Sequence, residues 1–334
     1  VTAQHIVSLS GGKDSLATAL KAKERGRPFR VVFADTGNEH QIVLDYVASL
    51  EAYLGVPIET VRADFTAAFA LRREQLHKFW SRPGRVGSDG NPTPAVPDAL
   101  IERAIACLIP SGIPFLDLCM LKGRFPGVKS RFCTEDLKLR PMDEQIKLPL
   151  LDAGQSIIEW IGERAEESPA RAAKPALERV RWAFHSVTGA RLARPASRVL
   201  YRPIHHLKVA EVFAIAKRHG VPSNPLYSQG MNRVGCMPCI MAKKGELRQI
   251  ARRFPEHIDR IEEWERIVQS VSRRQNATFF AAKMVPGEGD TRANIRSAVD
   301  WANTGRGGWN YDIEHSIDDQ DAPAICESAY GLCE

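Results

Sequence analysis

The sequence predicts a doubly wound α/β fold, a mostly parallel sheet with helices on both faces, followed by a C-terminal helical region and a cysteine-bearing tail. Two observations carry this. Short apolar runs alternate with amphipathic stretches over the first 65 residues, and glycines stand where one pattern gives way to the next. Successive β-α-β units of this kind imply parallel strands joined by crossover helices.

The elements follow in order. His5–Leu9 reads as a short apolar strand, and Asp14–Arg25 as a helix with Leu16 and Leu20 on one face, stopped at Gly26. Phe29–Ala34 is a continuous apolar run of the buried-strand type. His40–Leu54 puts Ile42, Val43, Tyr46, Val47, Leu50, Tyr53 and Leu54 on one stripe with Gly55 as its stop, and Ile58–Arg62 is the third strand. Phe79–Pro97 is dense in Gly, Pro, Ser and Asp and predicts a long loop, so 78–130 is expected as an insertion. Further strands are expected at Ile157–Ile161 and Val199–Tyr201, and an amphipathic helix at Val209–His219. The division that results is an α/β nucleotide-binding domain over 1–240, a helical region over 241–284, and an irregular tail over 285–334 that folds back with Cys326 and Cys333.

With 334 residues, 44% hydrophobic and 26% charged, the chain can bury a core without disulfides. No apolar run approaches the roughly 20 residues of a membrane span, which excludes a helical membrane protein and predicts a soluble one. The first residues lack the basic and apolar regions of a secretory signal, so the expected compartment is the cytoplasm and the seven cysteines are expected reduced. A net charge of +6 suits a polyanionic partner, but the two signs are interspersed, as on an ordinary solvated surface. Lys243, Lys244, Arg248, Arg252 and Arg253 form a basic stretch that reads as a solvated helix face or as a track for a nucleic-acid backbone.

Ser10-Gly11-Gly12-Lys13-Asp14-Ser15 lies between the first strand and the first helix, where backbone N–H groups and the positive helix end receive an anion. The glycines allow close approach, Ser10 and Ser15 supply hydroxyls, and Lys13 supplies a mobile charge. Asp14 is expected to cap the helix or to help place a magnesium ion. The spacing differs from a Walker A loop. This loop resembles that of the PP-loop adenine nucleotide α-hydrolase superfamily. The resemblance implies ATP with Mg²⁺ as cofactor, cleavage between the α and β phosphates, and adenosine contacts from Asp35-Thr36-Gly37 at the end of the second strand. Those residues would equally make a strand-ending turn that caps the next helix.

Cys236-Met237-Pro238-Cys239 places two thiols within reach of one metal, Cys133 adds a third, and Cys326 or Cys333 offers a fourth, whereas Cys107 and Cys119 sit in apolar surroundings as core thiols. Spacing leaves zinc and an iron–sulfur cluster both open. The stretches Asn224–Gly230, Arg233–Cys239 and Ser130–Pro141 resemble those of phosphoadenosine phosphosulfate (PAPS) and adenylylsulfate reductases and of the PP-loop proteins of DNA phosphorothioation. That resemblance implies a [4Fe–4S] cluster on Cys133, Cys236, Cys239 and Cys333, with Cys326 next in line. It also implies Arg131 and Lys138 as nucleotide contacts, and Arg164, in Gly162–Ser168, as a group that stabilises transition-state charge alongside Lys13. Gly162–Ser168 reads equally as an exposed helix start with capping carboxylates.

The chain departs from the reductases in two places. Phe132-Cys133 stands where the cluster-binding reductases have adjacent cysteines, and Tyr330–Glu334 replaces a Glu-Cys-Gly ending. The leading expectation is therefore an ATP-dependent enzyme that adenylates an acceptor and takes part in sulfur transfer. DNA or tRNA is the expected acceptor and a cysteine desulfurase the expected type of donor. The alternatives are a PAPS or adenylylsulfate reductase that yields sulfite, with Cys326 as nucleophile, and a non-catalytic nucleotide-sensing or DNA-binding subunit of a modification or defence complex.

Overall fold

Six strands form one sheet: β1 (Gln4–Leu9), β2 (Arg30–Asp35), β3 (Ile58–Arg62), β4 (Ile157–Trp160), β5 (Leu177–Val180) and β6 (Arg198–Tyr201). The computed structural model describes residues 3–84, 86, 90–127, 129–180, 196–280 and 294–305. The strand order is β3-β2-β1-β4-β6-β5, and every neighbouring pair is parallel except β5 with β6. Each strand expected from the sequence is present, shifted by at most one residue at an end. The antiparallel edge strand β5 lacks an apolar pattern, since Leu177 is exposed and Glu178 and Arg179 follow it, and it is held by pairing with β6 and by the bond from Arg202 to Glu178 at 2.9 Å.

Period-two alternation sorts the strands between two cores. Val7, Leu9, Val31 and Phe33 face α1 (Lys13–Glu24) and α2 (Gln41–Leu54), packing with Leu16, Leu20, Val43, Val47 and Leu50. Ile6, Val32, Ala34, Val61 and Ile157 point to the other side. Each of the buried Val, Leu, Ile and Phe side chains contributes about 1.5–3 kcal/mol. Gly55, at φ 73°, ends α2 in the left-handed conformation that its missing Cβ permits.

The remaining helices are α3 (Thr66–Trp80), α4 (Asp98–Cys107), α5 (Pro114–Lys122), α6 (Phe132–Thr134), α7 (Arg140–Met142), α8 (Leu148–Asp152), α9 (Pro169–Ala172), α10 (Val209–Arg218), α11 (Lys244–Arg253), α12 (Pro255–Ser270) and α13 (Ile295–Ala302). Wide π-type turns at Glu135–Leu139 and Asp143–Lys147 join α6, α7 and α8 into one run. That run covers the second face of the sheet through Met142, Ile146 and Leu151. Lys147, 1% exposed, locks it down by pairing with Asp143 at 2.8 Å and with Glu159 of β4, while Arg198 of β6 reaches Glu159 at 2.7 Å. Removing one member of so buried a set would strand its partners.

Three expectations are corrected. The stretch 78–130 is not a loop throughout: α3 runs to Trp80, and α4 and α5 are helices, the latter opened by Pro114 and closed by Gly123 at φ 64°. Phe115, Leu116, Leu118 and Met120 of α5 are buried, so its apolar residues belong to the core. In the expected irregular tail, 295–302 is helical, capped by Asn294, and buries Ile295, Ala298 and Ala302; Cys326 and Cys333 lie outside the described residues. In the basic stretch Lys244 is 8% exposed, donates to the Thr304 carbonyl at 2.6 Å and lies 4.8 Å over the Trp301 ring, so it does not belong to an exposed cationic face. No described helix is long and apolar enough to cross a membrane.

Candidate functional site

The order β3-β2-β1-β4 means that the chain leaves β1 in one direction to build β2 and β3 and returns on the other side as β4. The connections that leave the carboxyl ends of β1 and β4 therefore diverge, and doubly wound sheets take their ligands at such a switch point. Ser10–Ser15 leaves β1 at this point, and Gly162–Ser168 follows β4.

The loop is braced from within. Ser15 Oγ donates to the Gly12 carbonyl at 2.9 Å, accepts from Ser10 N at 3.1 Å and lies 3.1 Å from Ser10 Oγ. Gly11, at φ 75°, has no room for a side chain, because a Cβ would lie 3.0 Å from Val43 Cγ1 and 3.1 Å from Val47 Cγ2. Asn224 Nδ2 donates to the Gly11 carbonyl at 3.3 Å, and Lys13 N donates to the Tyr227 hydroxyl at 2.9 Å. The Tyr227 oxygen thus sits on a first-turn amide of α1, one of the groups an anion would use. Burial raises the Tyr227 pKa above the ordinary phenol value, so it stays a neutral hydroxyl. The Lys13 ammonium lies 3.5 Å from Asp14 Oδ2 and 5.5 Å from the Tyr227 ring.

Asp14 does not cap α1. The N-cap is Gly12, without a side-chain bond, and Asp14 Oδ1 instead accepts from Arg164 Nε at 2.6 Å. Arg164, 5% exposed, also pairs with Glu166, and its amide donates to Glu167 Oε2 at 2.9 Å. The segment after β4 is thereby clamped to the loop, with the guanidinium charge beside the loop and its forks facing carboxylates. Gly162 makes this possible: a Cβ there would stand 2.8 Å from the Asp14 carbonyl oxygen.

The end of β2 carries the second half of the site. Asp35 Oδ1 accepts from Gly37 N at 2.8 Å, and Arg62 lies 3.5 Å from its other oxygen. Gly37, at φ 74°, passes where a Cβ would lie 2.9 Å from Ile113 Cγ2. Thr36, fully buried, donates through Oγ1 to Glu39 Oε1 at 2.7 Å and through N to Oε2 at 3.1 Å. Cys236 Sγ donates to Glu39 Oε1 at 3.5 Å and also lies 3.5 Å from Thr36 Oγ1. Met237 N donates to the Asn38 carbonyl at 2.7 Å, Asn38 Nδ2 donates to the Pro238 carbonyl at 3.0 Å, and Arg260 reaches both Asn38 Oδ1 and the Met237 carbonyl. The segment expected to meet adenosine is thus also the platform of the Cys236–Cys239 turn.

Lys138 stands among these groups. The neighbouring charges of Cys236, Glu39, Cys239 and Cys133 raise its pKa, with that of Cys236 the largest of them, so it keeps its proton. Burial pushes the Cys236 thiol up to about 12, against the pull of Lys138, and burial together with Cys239 raises Cys133. Cys119, fully buried as expected, is raised by burial and then by Cys133, which places it on the core side of that thiol; Cys107 is only half-buried. Among the described residues Cys133, Cys236 and Cys239 are near enough to perturb one another, but their sulfurs are not all within 4.8 Å of one another. Arg131 is exposed ahead of α6. Glu39, Asn224, Tyr227 and Gly162 were not singled out from the sequence as site residues. Tyr227 and Asn224 fall within the Asn224–Gly230 motif, while Glu39 lies two residues beyond the Asp35-Thr36-Gly37 stretch.

Comparison with known proteins agrees with this geometry. The phosphoadenosine phosphosulfate reductase domain matches residues 4–89 and 125–242, and the break falls on α4 and α5. An uncharacterized 37.8 kDa protein of Escherichia phage 186 is 43% identical over 339 residues, covering 99% of this chain and 96% of that protein. The adenosine 5′-phosphosulfate reductase of Allochromatium vinosum is 26% identical over 234 residues, 70% of this chain and 66% of that enzyme. The solved PAPS reductase of Candida auris, a phosphate complex, overlaps 70% of this chain and 82% of its own at 15% identity and a TM-score of 0.37. With the phosphate loop, the switch-point crevice and the cysteine turn in one place, the chain belongs to the phosphoadenosine phosphosulfate reductase family of the PP-loop superfamily.

Proposed function

We propose that the protein is a reductase of adenylated sulfate, taking PAPS or adenylylsulfate and releasing sulfite. The observation that carries this reading is that the loop and the cysteine turn stand side by side, within a chain of the PAPS reductase family: Lys13 N donates to Tyr227, and a Cβ at Gly12 would lie 3.4 Å from the carbonyl oxygen of Val234, two residues before Cys236, whose thiol neighbours Lys138. The 5′-phosphate would lie on the amides of Gly11–Ser15 with Lys13 as counter-charge, the adenosine against Asp35–Gly37, and the sulfonate towards Lys138, with Arg131 at the rim. A cysteine thiolate, for which Cys326 is the candidate, attacks the sulfonate sulfur; the S–S bond forms, the S–O bond to phosphate breaks, and the adenosine phosphate leaves with the electron pair. A second thiol then attacks the S-sulfocysteine, which releases sulfite and leaves a disulfide. Lys138 and Arg164 hold charge that develops on the phosphate oxygen.

The donor set of Cys133, Cys236 and Cys239, all thiols, suits a soft metal centre. One zinc ion holds thiolates about 3.8 Å apart, from Zn–S bonds of about 2.3 Å in a tetrahedron. The more open spacing here suits a [4Fe–4S] cluster with Cys333 as the fourth ligand, Cys326 being the alternative. When bound, such a group supplies a fixed field beside the nucleotide.

A second reading is favoured by one feature. The complete Ser-Gly-Gly-Lys-Asp-Ser loop has the donors for a longer phosphate chain, as AMP-forming cleavage of ATP·Mg²⁺ and adenylation of an acceptor such as DNA or tRNA require. Anaerobically prepared protein given PAPS or adenylylsulfate with a thiol donor is expected to yield sulfite, and Cys326→Ser with Cys333→Ser to abolish it. Release of AMP and pyrophosphate from ATP, with no sulfite from either sulfonucleotide, would replace the first reading by the second.

A further inference from the structure

His40, Glu256 and His257 lie beside the cysteine turn but belong to none of its motifs. His40 is the N-cap of α2, one residue after Glu39, and Glu256 and His257 stand in the first turn of α12. One potential ligand atom from each of the three lies within 4.8 Å of the others, and the two imidazole centroids are 4.9 Å apart. Among the described residues this is the one group of three or more His, Cys, Asp or Glu side chains that is so gathered.

A second observation points to a ligand. His257 is 6% exposed, and its buried Nδ1 has no hydrogen-bond partner. A neutral imidazole offers a lone pair on one ring nitrogen, and such a nitrogen is the atom through which histidine takes a metal ion. A buried nitrogen left without a partner is costly, and a cation at this position would satisfy it. Glu256 is exposed, so it brings negative charge to the mouth of the site and leaves a path for entry.

The neighbourhood carries an opposing charge as well. Arg260, one turn along α12, acts on both imidazoles, but its guanidinium is bound to Asn38 Oδ1 at 2.8 Å and to the Met237 carbonyl at 2.7 Å; Asp45 acts on His40 from α2. His40 Nδ1 accepts from Ile42 N at 3.0 Å. In a neutral ring that bond leaves the proton on Nε2, so ligation by His40 exchanges the capping bond for a metal–nitrogen bond.

We propose that His40, Glu256 and His257 bind a divalent transition-metal ion of the zinc or iron(II) class at a site separate from the cysteine thiols. Two imidazoles and one carboxylate with a position left open is a donor set that both ions accept. The ion fastens the first turn of α12 to the start of α2. Because Asn38 and Glu39 immediately precede His40 and hold Met237 and Cys236, the ion also stiffens the platform under the cysteine turn. This inference does not depend on which reaction the crevice performs.

The test is a cobalt(II) titration of the full chain under anaerobic conditions, read by absorption. Thiolate ligands give intense near-ultraviolet charge-transfer bands, whereas imidazole and carboxylate ligands give only weak visible bands. The expected result is one equivalent of cobalt without thiolate bands, with affinity lowered at least about tenfold in Glu256→Gln and in His257→Gln, and thiolate bands unchanged in both. Zinc should raise the melting temperature of the unsubstituted protein more than that of either variant. Should His257→Gln fail to fold by circular dichroism, Glu256→Gln decides, since its side chain is exposed. Cobalt uptake with thiolate bands alone, or unchanged affinity in the variants that fold, would overturn the proposal.

Discussion

Gly162 and Asp14 show how a single residue sets the site. The absence of one carbon at Gly162 lets the segment after β4 lie on the phosphate loop, and Asp14 turns that contact into a bond with Arg164. Gly162→Ala would drive a Cβ to 2.8 Å from a backbone oxygen, a distance that real structures do not tolerate. The expected cost is about 1–3 kcal/mol in urea unfolding, with a matching loss of adenine nucleotide affinity by fluorescence titration. An alanine protein as stable and as tight-binding as the parent would show that the two segments are not held together as described. Tyr227 belongs to the same scale: its neutral hydroxyl occupies the Lys13 amide, so it shares a donor with any phosphate that enters.

At the scale of elements, α12 joins the thiol platform to the C-terminal helices. At one end Arg260 holds Asn38 and Met237. Further along, Glu265, 2% exposed, accepts from Phe279 N at 2.7 Å and from Ile295 N at 3.0 Å, which anchors the start of α13. Burial raises the Glu265 pKa from 4.5 to about 7, although both backbone bonds oppose the shift. The folded state therefore keeps a proton that the unfolded chain releases between those two values. Its contribution is full below about pH 4.5, falls as pH rises to about 7, and is level above, for a total of about 3 kcal/mol at most. Glu265→Gln cannot titrate, so the stability difference between parent and variant should change across pH 5 to 8 in that direction. Denaturant unfolding at the two pH values measures it, and a constant difference would count against the shift.

For the whole molecule, the crevice belongs to no single element. Its walls come from the ends of β1, β2 and β4 and from the 224–239 segment, so a bound nucleotide should stabilise the fold as one unit. At a nucleotide concentration of 100 times Kd the gain is about 2.7 kcal/mol, a rise of several degrees in Tm for a chain of this size. Lys13→Ala should weaken binding at least about tenfold and remove about half of that rise or more at the same concentration, while leaving the Tm without nucleotide within a degree or two. Calorimetry with adenylylsulfate, PAPS and ATP in parallel also ranks the two proposed substrate classes. An unchanged rise in the Lys13→Ala protein would place the phosphates elsewhere.

The nucleotide loop, the parallel strands and the helices α1, α2, α10, α11 and α12 were legible because each is written in local terms. Periodicity, glycine stops and contiguous motifs need no knowledge of distant residues. By the same token α4 and α5 were read as loop, since Gly and Pro between 81 and 97 masked the apolar faces that follow. β5 and the π-turned run over 132–152 went unseen, because pairing and docking onto the sheet sustain them where propensity does not. The sequence by itself determined that a glycine-rich strand-to-helix turn and a Cys-x-x-Cys pair exist and which residues compose them. Only the tertiary structure decided that Thr36, Glu39 and Lys138 surround Cys236, that Arg164 clamps Asp14, and that His40 meets His257, because each of those contacts spans more than 90 residues and depends on the order in which the strands pair.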